Sequence, residues 1–196
     1  MIVNNGYWKG ARYQANRVLR KGDRGVTAGG KSFDVIIIGA GPAGIFAALE
    51  LTRRRPDLKL LVIEKGPDID RRVCPINARG VKCTCCHPCS ILCGWGGAGA
   101  FSDGKLTLTT EFGGNLDQYL GKDGTDEIIT YIDKIYLDFG ATNTVFGIDP
   151  QISHQLQRQA ATAGLQLIPA KIRHLGTEEC FKILKRMREE LGKTVE

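Results

Sequence analysis

The chain has no long hydrophobic run. Its longest apolar stretch, Val35 to Leu49, holds 15 residues and is broken by Gly39, Gly41, Pro42 and Gly44. A helix that crosses a bilayer needs about 20. The stretch also begins too far into the chain for a secretory h-region. These absences argue against a membrane span and against export, and the expected location is cytoplasmic. Acidic residues are scarce at the amino-terminal end: residues 1–31 carry seven bases and a single acid, Asp23, and the remaining 20 bases and 20 acids cancel. The net charge of +6 therefore belongs to a basic arm, 1–31, and says nothing of the rest. A loosely ordered leader accounts for the arm most simply. Long-range attraction to RNA, an acidic partner or anionic lipid, or service as an organellar presequence, are the alternatives. No aromatic-studded RNA motif accompanies the arm, so nucleic acid is not the expected partner. Also missing are internal repeats, paired catalytic carboxylates and any Ser/His/Asp nucleophile arrangement, and no catalytic residue is named.

With 196 residues, 42% hydrophobic and 24% charged, the chain has the composition of a globular protein able to form a core. Phe33–Ile38 (FDVIII) reads as a strand buried on both faces. Pro42 to about Arg55 has helical periodicity through Ile45, Ala48, Leu49 and Thr52, and Lys59–Glu64 (KLLVIE) reads as a second buried strand. Strand, helix and strand in about 32 residues make one βαβ crossover. Residues 66–105 are aperiodic and rich in Gly, Cys and Pro, a loop length uncommon unless functional. Further on, Thr125–Phe139 is expected as a helix with Ile128, Ile129, Ile132, Ile135, Tyr136 and Phe139 inward, closed by Gly140. Asp149 as N-cap and Pro150 open another, with Ile152, Leu156, Ala160 and Ala163 inward and Gly164 at its end. Leu165–Ala170 is a strand candidate, and Thr177 starts a last helix that uses Cys180, Leu184, Met187 and Leu191.

Gly39-Ala40-Gly41-Pro42-Ala43-Gly44 fits G-x-G-x-x-G, a weak pattern by itself in a chain with 25 glycines. Its context is specific: it follows a buried strand, opens a helix, and Glu64 lies 20 residues past the last glycine at the end of the next strand. Gly39 permits the tight turn, Gly41 lets backbone approach a pyrophosphate, and Gly44 lets helix and strand pack closely. Pro42 at a helix start forfeits no hydrogen bond, and the free N–H groups with the positive dipole end face the phosphates. Glu64 accepts from ribose hydroxyls and disfavours a 2′-phosphate. A strand-turn-helix that is merely glycine-rich is the plain alternative. The fingerprint does not separate FAD from NAD.

Six of the seven cysteines fall between Cys74 and Cys93. A disulfide framework normally scatters its cysteines, so the clump suggests a reducing compartment and a local site. Cys83, Cys86, Cys89 and Cys93 are metal or Fe–S candidates by spacing, with Cys85 and His87 among them. Redox thiols, or cysteines that only pack, are the other open readings. Cys74 and Cys180 read as packing residues, and His87, His154 and His174 as solvated or structural.

FDVIIIGAGPAGIFAALEL followed by VIEKG resembles the amino-terminal segment of glutathione-reductase-like flavoproteins with two dinucleotide-binding domains. The stretch CxCCxPCSILCGWGGAGAFSDGKL, with RHLGT, resembles a narrower bacterial group, the FAD-dependent dehydrogenases or FAD-utilising oxidoreductases. The likeness covers roughly residues 33–192. It implies FAD, with adenosine over Gly39–Gly44, its ribose at Glu64, and Lys65 and Gly66 at the adenine end. The loop containing Gly97, Ala98, Gly99, Ser102, Asp103, Gly104 and Lys105 would approach the pyrophosphate and ribityl chain. Read without the family, that loop is an ordinary surface glycine loop. Family members are longer, and distant segments complete their FAD domain. The expectation is thus an amino-terminal fragment: an α/β chain with an incomplete Rossmann-like FAD-binding unit (32–110), a glycine/cysteine-rich loop, and a mostly helical segment (111–196) that begins a second domain. Its function is FAD binding within a flavin-dependent oxidoreductase of unknown substrate. The alternatives are a non-catalytic nucleotide-binding fragment that needs a partner chain for the rest of the flavin domain, and a cysteine-cluster metal or redox protein on a Rossmann-like scaffold.

Overall fold

The computed structural model describes residues 26–28, 31–76 and 80–196. Most of the basic arm lies outside them. The fold is mixed α/β, with small sheets and four helices among the described residues, and is compatible with a Rossmann-like unit. β1 (Val26–Ala28) and β2 (Lys31–Phe33) form an antiparallel pair. The FDVIII run is therefore not one strand: Phe33 closes β2, and β3 begins after Asp34, at Val35–Ile38. Asp34 marks the break by accepting from the Lys59 amide at 2.8 Å.

β3 leads through the glycine turn into α1 (Pro42–Arg54), and the chain returns as β4 (Leu60–Ile63). β3 and β4 are parallel, in register from Val35↔Leu60 to Ile38↔Ile63. This is the expected crossover. Val195 and Glu196 add a parallel bridge on the far edge of β4, where the Glu196 amide donates to Leu60 O and the Val62 amide to Glu196 O.

The expectation of strands buried on both faces is not met. Ile38 is 85% exposed and Ile63 47%. Ile37 and Val62 pack on the core side and Leu60 is buried, with α1 the helix that lies against this sheet among the described residues. Alternation along a strand puts Ile36 and Leu61, both half-buried, on the same side as the exposed Ile38 and Ile63.

3-10 turns at Ile69–Arg71 and Gly97–Phe101 interrupt the aperiodic loop. β5 (Lys105–Thr107) pairs antiparallel with β6 (Ile172–His174). α2 spans Asp117–Asp138, starting earlier than its periodicity suggests, and is kinked where Gly121 takes φ 73° and ψ 167°. Of its expected inward residues Ile135 is fully buried and Ile128 is exposed. α3 (Pro150–Thr162) is capped as expected: Asp149 Oδ1 accepts from the amides of Gln151 and Ile152 at 2.8 and 3.1 Å. Its apolar stripe, however, faces solvent, with Ile152 56% and Leu156 47% exposed and no residue of the helix buried. Leu165–Ala170 forms no strand; the following Ile172–His174 does, because there a partner, β5, is at hand.

α4 (Gly176–Leu191) lies against α1 and both 3-10 turns. It buries Cys180, Ile183, Leu184, Met187 and Leu191, four of which were the expected inward set. These side chains share one hydrophobic core with Ala40, Ile45, Ala48, Leu49, Ile69, Trp95 and Ile135. Residues on both sides of position 110 therefore contribute to the same core. No helix among the described residues is long and apolar enough to cross a membrane.

Candidate functional site

The glycine turn is shaped by steric need at one position above all. A Cβ on Gly44 would stand 2.0 Å from Gly39 O and 3.3 Å from Ile37 Cγ2, so helix and strand meet as closely as they do only because no side chain intervenes. Gly39 has φ 98° and hands its amide to Ile63 O at 2.7 Å, which carries the β3–β4 ladder into the turn. Gly41 is the N-cap of α1 with Pro42 as its first residue, and a Cβ there would meet nothing within 4 Å. Pro42 and Ala43 are exposed. The N-terminal end of α1 thus presents orphan amides next to open space.

Glu64, just past β4, ties three segments together. Its Oε2 accepts from the Ala40 amide at 2.8 Å, inside the glycine turn. Its Oε1 accepts from the amides of Gly66 and Gly94, both at 2.9 Å. Burial pushes the Glu64 carboxyl up, but these three donors outweigh it and hold the group below its ordinary value. An ionised carboxylate offers about four acceptor positions, so one remains.

Glu64 lines a cleft of about 220 Å³ together with Ala40, Gly66, Pro67, Asp68, Trp95 and Arg188, and Leu191, Val195 and Glu196 also contribute to its walls. The cleft lies beyond the carboxyl ends of β3 and β4, where open α/β sheets place ligands. Trp95 is buried and donates Nε1–H to Leu184 O at 2.9 Å. Arg188 stacks over its ring, 5.4 Å from the centroid, and bonds Asp68 through Nε at 3.1 Å.

The expected residues divide into two groups. Glu64, Gly66 and the glycine turn meet at the cleft or its rim, although Ala40, not the three glycines, forms the wall. Lys65 is exposed and lines no part of it. The second glycine loop packs against the first, since a Cβ on Gly97 would lie 3.2 Å from Gly41 Cα and one on Gly99 3.9 Å from Pro42 Cγ. Ala98 is exposed. The loop's polar end turns inward on itself: Ser102 Oγ donates to Gly99 O, Gly104 N donates to Ser102 Oγ, and Lys105 pairs with Asp103 at 2.7 Å. Gly104 sits against the start of α4, accepting from the Leu175 amide at 2.8 Å. Ser102, Asp103, Gly104 and Lys105 do not line the cleft.

Arg72 organises the loop between them. Its guanidinium, 6% exposed, donates to the carbonyls of Ser90, Ile91, Trp95 and Gly97 at 2.7–2.9 Å and stacks on Phe101, 4.7 Å from the ring centroid. Burial lowers its pKa, while Glu64, Cys93 and Cys89 act in the other direction. Ala40, Trp95, Arg188 and Arg72 all escaped sequence reasoning. The arginine and tryptophan positions sit in or face an aperiodic loop, which gives no signal of which residue turns inward.

The cysteines do not converge. Among the described residues no three Cys, His, Asp or Glu groups are placed to hold a metal. Cys83, Cys85 and Cys86 are exposed, Cys74, Cys89 and Cys93 half-buried and Cys180 buried, all as free thiols. The amides of Leu92 and Ile91 hold the Cys89 thiol below its ordinary pKa, with the Arg72 charge adding to them.

Two comparisons bear on this site. The family model described as lycopene cyclase protein matches residues 34–76, which hold β3, the glycine turn, α1, β4 and Glu64. That family consists of FAD-binding-fold proteins, so its match is loosely consistent with a flavoprotein. An uncharacterized protein of Clostridium beijerinckii is 34% identical over 126 residues, 63% of this chain. The aligned stretch spans 22% of that relative's length.

Proposed function

We propose that this chain binds FAD, and that the adenosine diphosphate half lies across the glycine turn with its ribose at Glu64. The observation that carries the reading is the position of the Glu64 carboxylate, fastened to the turn through Ala40 N and facing the cleft with an acceptor site to spare. Its negative charge favours a free 2′-hydroxyl. The open space at Gly41 and the orphan amides of α1 fit a diphosphate. Bound flavin supplies two-electron or hydride chemistry, and the fuller reading is the FAD-binding part of an oxidoreductase whose substrate the cleft does not specify.

A second reading, nucleotide binding without turnover by this chain, is favoured by one observation: Ser102, Asp103 and Lys105 spend their polar groups on internal contacts and leave the flavin end without a described cradle. Reduction of the flavin-loaded protein by a nicotinamide nucleotide, followed by reoxidation by an added acceptor, supports the oxidoreductase. Binding with no such cycle supports the second reading.

Gly41→Asp tests both. Gly41 has φ −75° and free space at its Cβ, so the variant should fold, yet it places a carboxylate against the diphosphate. Titration with FAD should show binding by the parent and its loss in the variant, at normal thermal stability. Equal affinity for the two proteins, or no affinity in the parent, would sink the proposal.

A further inference from the structure

Two ion pairs, about one helical turn apart, tie α4 to the 3-10 turn at Ile69–Arg71. Lys185 Nζ meets Asp70 Oδ1 at 2.8 Å, and Arg188 Nε meets Asp68 Oδ2 at 3.1 Å. The two ties are alike in exposure, and exposed pairs of this kind contribute little to stability. They differ in place: Arg188 and Asp68 line the cleft that holds Glu64, whereas Lys185 and Asp70 do not. They differ also in geometry, because of the two cations only Arg188 lies over an aromatic ring, that of Trp95. Both partners of Arg188 are themselves fastened. Asp68 caps the turn by accepting from the Ile69 amide at 2.7 Å, and Trp95 is held by its bond to Leu184 O. Trp95 is 7% exposed and the Arg188 side chain 41%, so the open surface of this stacked pair belongs chiefly to the arginine. A flat cation held in this way is pre-organised to stack on a second ring. A tie to the turn alone needs no such plane, as Lys185 shows.

We infer that Arg188 is the residue that recognises the base: the adenine ring stacks on its guanidinium, so that base, Arg188 and Trp95 form three layers. The inference rests on the reading that adenosine occupies this cleft. With the diphosphate at the glycine turn and the sugar at Glu64, the base leaves the sugar at the end opposite the diphosphate. It is then left with the wall that α4 and the residues after it supply, where Arg188, Leu191 and Val195 stand. The cleft's volume of about 220 Å³ falls below the roughly 300–1,000 Å³ that hold a whole drug-sized ligand. That size suits one end of a dinucleotide. The contact favours purine over pyrimidine, because two fused rings cover more of the guanidinium plane than one. The flavin takes no part in it, so ADP is a ligand of the same site.

FAD, ADP and UDP are the probes, titrated into the full chain by calorimetry. The parent should bind ADP in competition with FAD and should prefer it to UDP. Arg188→Ala should weaken FAD and ADP by about 5- to 150-fold, the range for one lost base stack, and remove most of the preference for ADP over UDP. Arg188→Lys, which keeps a cation beside Asp68 but no plane, should show the same loss. Lys185→Ala, which breaks the neighbouring tie outside the cleft, should bind all three ligands as the parent does. Thermal unfolding checks that the variants fold, and Arg188→Lys decides alone if Arg188→Ala does not. Unchanged FAD and ADP affinity in the Arg188 variants, or an equal loss in Lys185→Ala, would overturn the assignment while leaving FAD binding intact. A parent that binds FAD yet takes ADP and UDP equally would do the same. A parent that does not bind FAD would instead overturn the proposed function, and this assignment with it.

Discussion

Glu64 is the residue on which the most geometry converges. Three backbone amides from three separate segments point at its carboxylate, and its pKa is lowered by them in spite of burial. A carboxyl with a depressed folded-state value contributes stability that is present above its unfolded value, roughly 4.3, and is lost as pH falls through the folded value. Glu64→Gln removes the charge and offers one acceptor oxygen in place of two. The variant should be less stable at neutral pH, and its stability should decline less than the parent's as pH is lowered below about 4. Urea unfolding over a pH series measures this, and parallel acid limbs would contradict it. Gly44, Glu64 and the Asp149 cap were legible from sequence because each acts within a few residues of a periodic element or at a fixed offset from one. Arg72 was not. Its four acceptors lie 18 to 25 residues further on, in a stretch with no repeat to show which residue faces in.

At the scale of elements, the crossover β3–α1–β4 was legible because hydrophobic period and glycine spacing are local signals. Which face of an element is covered is not local. The stripes of α3 and α4 look alike as sequences, but α4 lies in the core and α3 in solvent. The two helices should therefore respond differently to the same change. Ile183→Ala, at a side chain with no exposure, is expected to cost about 2–5 kcal/mol. Ile152→Ala, at a side chain 56% exposed, should stay within about 0.5 kcal/mol. Chemical denaturation compares them directly, and equal losses would mean that α3 is buried in solution. The displaced third sheet has the same origin: Leu165–Ala170 is apolar enough for a strand, yet pairing belongs to Ile172–His174, which has β5 and Phe146 beside it.

For the whole molecule, the link between the sheet β5–β6 and α2 is an ion pair with little access to water. Arg173, 4% exposed, holds Asp133 through Nε and Nη2 at 2.6 and 2.7 Å and also donates to Thr142 O. Arg173→Met leaves a half-buried carboxylate without its partner, a loss of about 3–5 kcal/mol. The same core runs from the glycine turn to α4. Hence the loss should appear as one shifted transition, seen alike by far-ultraviolet circular dichroism and tryptophan fluorescence. Separate transitions by the two probes would show that the β5–β6 region melts independently of the cleft.

The clasp at Arg72 grips peptide carbonyls, which every amino acid supplies in the same form. Ser90 and Ile91 can therefore drift in identity without loosening it, whereas position 72 itself has no substitute with as many donors in a rigid plane. The course of the cysteine-rich strip past the cleft is in this sense written at a single codon, and the strip's own residues are left at liberty to specialise.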